Sequence, residues 1–141
     1  MSTLPTAWVV DVDGTLALFP HRNPYDWRSS HLDLPNQPVV MTVQALAEHE
    51  SVSAIIAISG RHEEARSLTE SWLVEHRVPY HKLLMRADGD YRADDVVKEE
   101  LFRNNVDGRY SIIGVIDDRT RVVTMWRRLG LSCFQVADGD F

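Results

Sequence analysis

Five short apolar runs rich in β-forming residues, at 7–10, 52–58, 82–85, 111–116 and 133–136, are separated by stretches in which apolar residues recur at helical spacing. That alternation leaves few folds open. Strands joined through a helix pair in parallel by right-handed crossovers, and repeated units of this kind build one sheet with helices on both faces. Val40, Val43, Leu46 and Ala47 mark one helical stripe, and Ala65, Leu68, Trp72 and Leu73 a second. A third helix is expected to begin near Ala93, where Asp94 and Asp95 complement a helix N-terminus and Val97, Leu101 and Phe102 follow. Val122, Trp126 and Leu129 mark a fourth, with Gly130 as its C-terminal cap. The expected class is α/β, a doubly wound and mainly parallel five-stranded sheet in a single domain over residues 1–141. Residues 19–38 break the pattern with Pro20, Pro24, Pro35 and Pro38 and are expected to form an irregular flap. It is too short for a large cap domain, which leaves the mouth of any site open to a large substrate. In such sheets ligands bind beyond the carboxyl ends of the strands.

Bulk properties narrow the class further. The chain has 141 residues, enough for one hydrophobic core, and its hydrophobic and charged fractions of 44% and 26% are ordinary for a globular domain. The single cysteine, Cys133, cannot form an internal disulfide and is expected to be a small buried apolar residue in the last strand. No stretch approaches the ~18 apolar residues of a membrane span, and the first residues lack the basic start of a leader. A cytoplasmic protein without a membrane role is expected. A formal charge of −6 argues against a general nucleic-acid coat, which depends on lysine and arginine displacing counterions. Arginine nevertheless far outnumbers lysine, and its planar fork suits phosphate.

Four short features fall where strands give out. The first run ends in Asp11-Val12-Asp13-Gly14-Thr15, two carboxylates two residues apart. One can attack phosphorus and form an acyl-phosphate, and the other can protonate the leaving oxygen and later deprotonate water. Taken alone the same residues also read as an Asx turn closed by glycine. Ser59-Gly60-Arg61, read as following the second strand, offers a hydroxyl, a backbone N–H and a guanidinium for a phosphoryl group, or only an ordinary turn. Lys98 lies four residues after Asp94, and the two face each other on a helix, as a phosphate-directed lysine steadied by an acid or as a solvated pair. Asp117-Asp118 closes the fourth run, and adjacent acids repel unless a cation relieves them. Mg²⁺ takes one or two carboxylates and completes its octahedron with water and substrate phosphate, so Asp11 and one acid of this pair could hold it. Unrelated turns would seldom put all four features, in order, at the same end of one sheet.

These residues resemble the four motifs of the haloacid-dehalogenase superfamily, Rossmann-like phosphatases, along the whole chain. The resemblance implies Asp11 as nucleophile, Asp13 as general acid-base whose main-chain carbonyl also binds Mg²⁺, and Ser59 and Lys98 as phosphate clamps. Longer strings are similar to the 3′-phosphatase domains of bacteriophage polynucleotide kinase-phosphatases. They are Asp94-Asp95-Val96-Val97-Lys98-Glu99-Glu100-Leu101-Phe102 and Ile116-Asp117-Asp118-Arg119-Thr120-Arg121-Val122-Val123, with shorter matches from Met125 to Phe141. This likeness implies that Arg22, Arg61 and Arg86 help hold the substrate, with Asp94 beside them, and that the substrate is a 3′-phosphorylated DNA or RNA end in need of repair. No GxxxxGK[ST] occurs, so no 5′-kinase activity is expected of this polypeptide, and a separate kinase or ligase partner is left open.

Two rival readings stand beside this one. A phosphatase of small phosphomonoesters would use the same motifs, and a non-catalytic module binding nucleic-acid ends would not need both Asp11 and Asp13. The six histidines lack metal-ligand spacing. Trp8, Trp27, Trp72 and Trp126 are expected in core or flap packing, with Tyr25 and Trp27 in the proline-rich stretch the pair that could meet a nucleotide.

Overall fold

The computed structural model describes residues 3–141. Among the described residues, seven strands and four α-helices follow one another: β1 Thr6–Val10, β2 Ala17–Leu18, β3 Leu34–Pro35, α1 Gln37–Glu48, β4 Ala54–His62, α2 Arg66–Glu75, β5 Lys82–Arg86, α3 Asp94–Asn105, β6 Ser111–Asp117, α4 Thr120–Arg128 and β7 Cys133–Gln135. Five of the strands form one sheet in the order β5-β4-β1-β6-β7, and every pairing in it is parallel.

Side-chain alternation along the strands divides the core into two layers. Trp8, Val10, Ile55 and Ala57 point to one face, where Val39, Val40 and Val43 of α1 and Trp72 and Leu73 of α2 cover them. Ala7, Val9, Ile56 and Ile58 point to the other face and meet Phe102 of α3 and Val122, Val123 and Trp126 of α4. Both layers are therefore read directly from a period of two on the strands meeting a period near 3.6 on the helices. Cys133 is buried, as expected of the last strand. No helix among the described residues is long and apolar enough to cross a membrane.

Two expectations need correction. The second strand does not end at residue 58: β4 runs through His62, so Ser59-Gly60-Arg61 is strand rather than the turn that follows it. Its pairing with β5 is regular to Ser59↔Met85 and resumes only at His62↔Arg86, leaving Gly60 and Arg61 as a bulge. A bulge bends the strand and re-aims its side chains, and here it does so at the functional end of the sheet. The flap is also less irregular than expected. Trp27–Leu32 forms 3₁₀ turns capped by the Asp26 side chain, β2 pairs antiparallel with β3, and residues 37–38 already belong to α1. Pro38, in the first turn of that helix, starts it, because its missing N–H has no helical partner there in any case.

Candidate active site

β1, β6 and β4 end side by side, and the chain beyond each supplies one part of the site. After β1 the backbone folds tightly, with the N–H groups of Thr15, Leu16 and Ala17 all donating to the carbonyl of Val12. Gly14 holds φ at +82°, a left-handed conformation that other residues seldom adopt. A Cβ there would also lie 2.2 Å from Oδ2 of Asp118, so glycine is what lets the first and fourth motifs touch.

Asp11, Asp117 and Asp118 are all buried, and each offers a carboxylate oxygen within 4.8 Å of the others. Lys98 brings a cation to two of them. The Lys98 ammonium donates to Oδ1 of Asp11 at 2.6 Å and to Oδ2 of Asp117 at 3.2 Å, and it stands 3.7 Å from Asp94. The expected Asp94–Lys98 pair is thus present, but the lysine's shortest contact is to the nucleophile candidate. The Thr15 hydroxyl lies 2.9 Å from Asp11 Oδ2 and 3.2 Å from Asp118 Oδ1, with one proton to give to either. Asp117 is fully engaged. Its Oδ1 accepts the N–H groups of Asp118 and Arg119, while Oδ2 accepts from Lys98 and from the indole N–H of Trp126.

Burial, then the Asp117 carboxylate, pushes Asp11 well above the usual carboxylate range, although Lys98 opposes the shift. Burial raises Asp118 as well. Burial by itself would lower Lys98, but Asp11, Asp117 and Asp94 outweigh it and keep the ammonium charged. Asp11, Asp94 and Asp117 share one ammonium and Asp118 adds a fourth carboxylate, an excess of negative charge in a water-poor site that a divalent cation with oxygen preference would neutralise. The donor set therefore fits Mg²⁺.

The other candidates lie around this centre. Ser59 is buried, and its Oγ accepts the Arg61 N–H at 3.1 Å. Gly60 packs so closely on α3 that a Cβ would fall 2.1 Å from Oδ1 of Asp94. Asp13 has a quarter of its side chain exposed and is gripped by Arg61 at 2.6 Å and Arg22 at 3.3 Å. A cavity of about 930 Å³ opens over Asp11, Asp13, Gly60, Lys98, Asp117 and Asp118.

Residues 5–141 match the family model described as the polynucleotide kinase PNKP phosphatase domain. The chain belongs to this family. It is accordingly a phosphatase domain, a phosphomonoester hydrolase by class. Over 128 residues, 89% of its length, it is 35% identical to a protein of Autographa californica nuclear polyhedrosis virus named as a bifunctional polynucleotide kinase/RNA ligase, of which it covers 18%. Two solved structures, of a Pnkp1/Rnl/Hen1 complex and of the Pnkp1/Rnl/Hen1 RNA repair complex, each superpose on the whole chain with a TM-score of 0.95 and 42% identity. The chain spans 49% and 45% of the chains it matches there, so it corresponds to about half of those polypeptides.

Within this PNKP-type phosphatase domain the three arginines are engaged with protein groups. Arg22 and Arg61 converge on Asp33, a flap residue whose side chain is wholly buried and which accepts at 2.8 Å from Arg22 and 3.0 Å from Arg61. Arg86 donates to the carbonyls of Gly60, Asp90 and Arg92 and meets Asp94 at 3.3 Å. Arg61 and Arg86 border the cavity. Asp33 escaped sequence reading, because one acid in a proline-rich stretch carries no local signal. Trp126 was legible only as part of an apolar stripe, and Thr15, although inside the first motif, suggested no partner.

Proposed function

We propose that this domain removes 3′-phosphates from nucleic-acid ends, with Mg²⁺, through a phospho-aspartyl intermediate on Asp11. The observation that carries the reading is the buried set of Asp11, Asp117 and Asp118, the first two paired with Lys98, lining the cavity. Asp11 and Asp118 would hold the metal, with the main-chain carbonyl of Asp13. Asp117, whose oxygens are both occupied, would serve as the anchor that orients Lys98 and the turn after β6. When bound, Mg²⁺ supplies positive charge against the phosphoryl oxygens.

An Asp11 oxygen attacks phosphorus, the bond from phosphorus to the 3′ oxygen breaks, and Asp13 gives that oxygen a proton. In the second step Asp13 takes a proton from water, whose oxygen attacks the same phosphorus. Inorganic phosphate leaves and the Asp11 carboxylate is restored. Ser59, the Gly60 N–H and Lys98 hold the transferred group, and Arg61 and Arg86 border its path. Arg22 acts through Asp13. Asp94, seated against Gly60, keeps the bulge of β4 turned toward the phosphate.

A repair role beside kinase and ligase activities is supported by the names of the relatives, a kinase/RNA ligase and an RNA repair complex. The test compares phosphate release from a 3′-phosphorylated oligonucleotide, its 5′-phosphorylated twin and a sugar phosphate, with and without Mg²⁺. Metal-dependent release from the 3′ end alone is expected. Equal turnover of sugar phosphates would favour a small-ester phosphatase, and no turnover would favour a binding module.

A further inference from the structure

Beyond the carboxylates, the cavity is lined by rings that phosphoryl transfer does not require. Tyr25 and Trp27 come from the flap, His62 from the end of β4, and Tyr91 from the turn between β5 and α3. They are arranged rather than scattered. The Trp27 and His62 rings lie 5.0 Å apart, inclined at 37°, and the His62 and Tyr91 rings lie 5.3 Å apart at 45°. The column runs outward from Trp27, which packs against the core, to Tyr91, which is 86% exposed. Tyr25, on the same cavity, is 74% exposed.

Neither tyrosine contributes to a core layer, so packing does not account for them. A cavity of about 930 Å³ also has room for much more than a phosphate. Leu18 and Pro24 also line the cavity and add apolar surface. Flat apolar faces beside a phosphate site suit a nucleobase, since every base has a π-face to stack.

We infer that the Trp27–His62–Tyr91 column, with Tyr25, is a subsite for the base of the terminal nucleoside, and that Tyr91 supplies the stacking face. This deepens the 3′-phosphatase reading and rests on it. Stacking does not read base edges, so the subsite accepts all four bases but discriminates against ends that carry no base. His62 props Tyr91 from behind, and the flap sets the far end of the column.

The experiment measures kcat/KM for two oligonucleotides that differ only at the 3′-phosphorylated residue, a nucleotide in one and an abasic tetrahydrofuran in the other. The unaltered protein should prefer the base-bearing end by about tenfold or more. Tyr91→Ala should bring that ratio close to one, mainly through KM, Tyr25→Ala should reduce it, and Tyr91→Phe should preserve it. Because both tyrosines are exposed, their variants should fold, and circular dichroism checks this. An unaltered protein indifferent to the base, or an Ala variant at position 91 that keeps the full ratio, would overturn the inference while leaving the 3′-phosphatase reading intact. Failure to release phosphate from either oligonucleotide would remove both.

Discussion

Asp11 and Asp33 are both buried carboxylates, and they are balanced in opposite ways. Asp11 shares one ammonium with two other acids, so its charge is under-compensated. Asp11→Asn should therefore cut phosphatase turnover by about 10³-fold or more, equivalent to about 4 kcal/mol of barrier, by removing the proposed nucleophile. The amide keeps an acceptor for Lys98 and relieves acid-acid repulsion, so the metal-free variant should melt no lower than the parent. Turnover close to the parent's would take the nucleophilic role from Asp11. Asp33 instead sits between two buried guanidiniums, each side chain at most 2% exposed. Asp33→Ala would strip a carboxylate from both, and loss of one partner of a buried charge set costs about 3–5 kcal/mol. Urea denaturation should show a loss of this size, and activity should fall because Asp13 is held by the same two arginines. Asp33→Asn, which keeps an acceptor, should lose less of each.

At the scale of elements, α4 both closes a core layer and reaches the candidate active site. Trp126 is fully buried, packs edge-on against Phe102 of α3 at 5.5 Å, and donates its indole N–H to Asp117. One side chain thus ties helix packing to the orientation of Asp117, the carboxylate beside the proposed metal ligands. Trp126→Phe keeps an aromatic ring in the layer but loses the donor. If Mg²⁺ is held as proposed, the concentration needed for half-maximal activity should rise by about tenfold, because Asp117 fixes the turn that carries Asp118 and losses just outside a ligand set cost about that much. An unchanged Mg²⁺ requirement would reduce Trp126 to packing alone. The β4 bulge shows the same economy, since Gly60 and Arg61, unpaired with β5, both border the cavity while the Arg61 guanidinium holds Asp13.

Across the whole molecule, an acidic chain concentrates uncompensated negative charge at one buried point and lines the cavity above it with arginines and aromatic rings. Mg²⁺ bound there should stabilise the fold by mass action, by about 2.7 kcal/mol at a hundredfold excess over Kd. For a domain of this size that corresponds to a Tm higher by roughly 5–10 °C. Calorimetry with Mg²⁺ and with excess chelator checks this, and a Tm unmoved by Mg²⁺ at saturating concentrations would count against the metal assignment. Ca²⁺, which takes more and looser ligands, should raise Tm yet support little turnover.

The amino-acid sequence by itself determined the order of the five sheet strands and the four helices, the parallel class of the sheet and the residues of the four motifs. Hydrophobic periodicity and glycine placement are local properties, and motif residues at strand ends inherit their location from the topology. The strand boundaries were legible to within one or two residues, except at β4, where pairing with β5 carried the strand four residues further than its apolar run. Apart from the Asp94–Lys98 pair, only the tertiary structure decided which charges meet. Lys98 is 87 residues from Asp11 in sequence, Arg61 is 48 from Asp13 and 28 from Asp33, and Trp126 reaches Asp117 from the next helix. The ring column over the cavity was likewise hidden, because Trp27, His62 and Tyr91 belong to three segments. Partners in a buried polar network are chosen by distance and desolvation after the chain has folded, and neither quantity has a local signature.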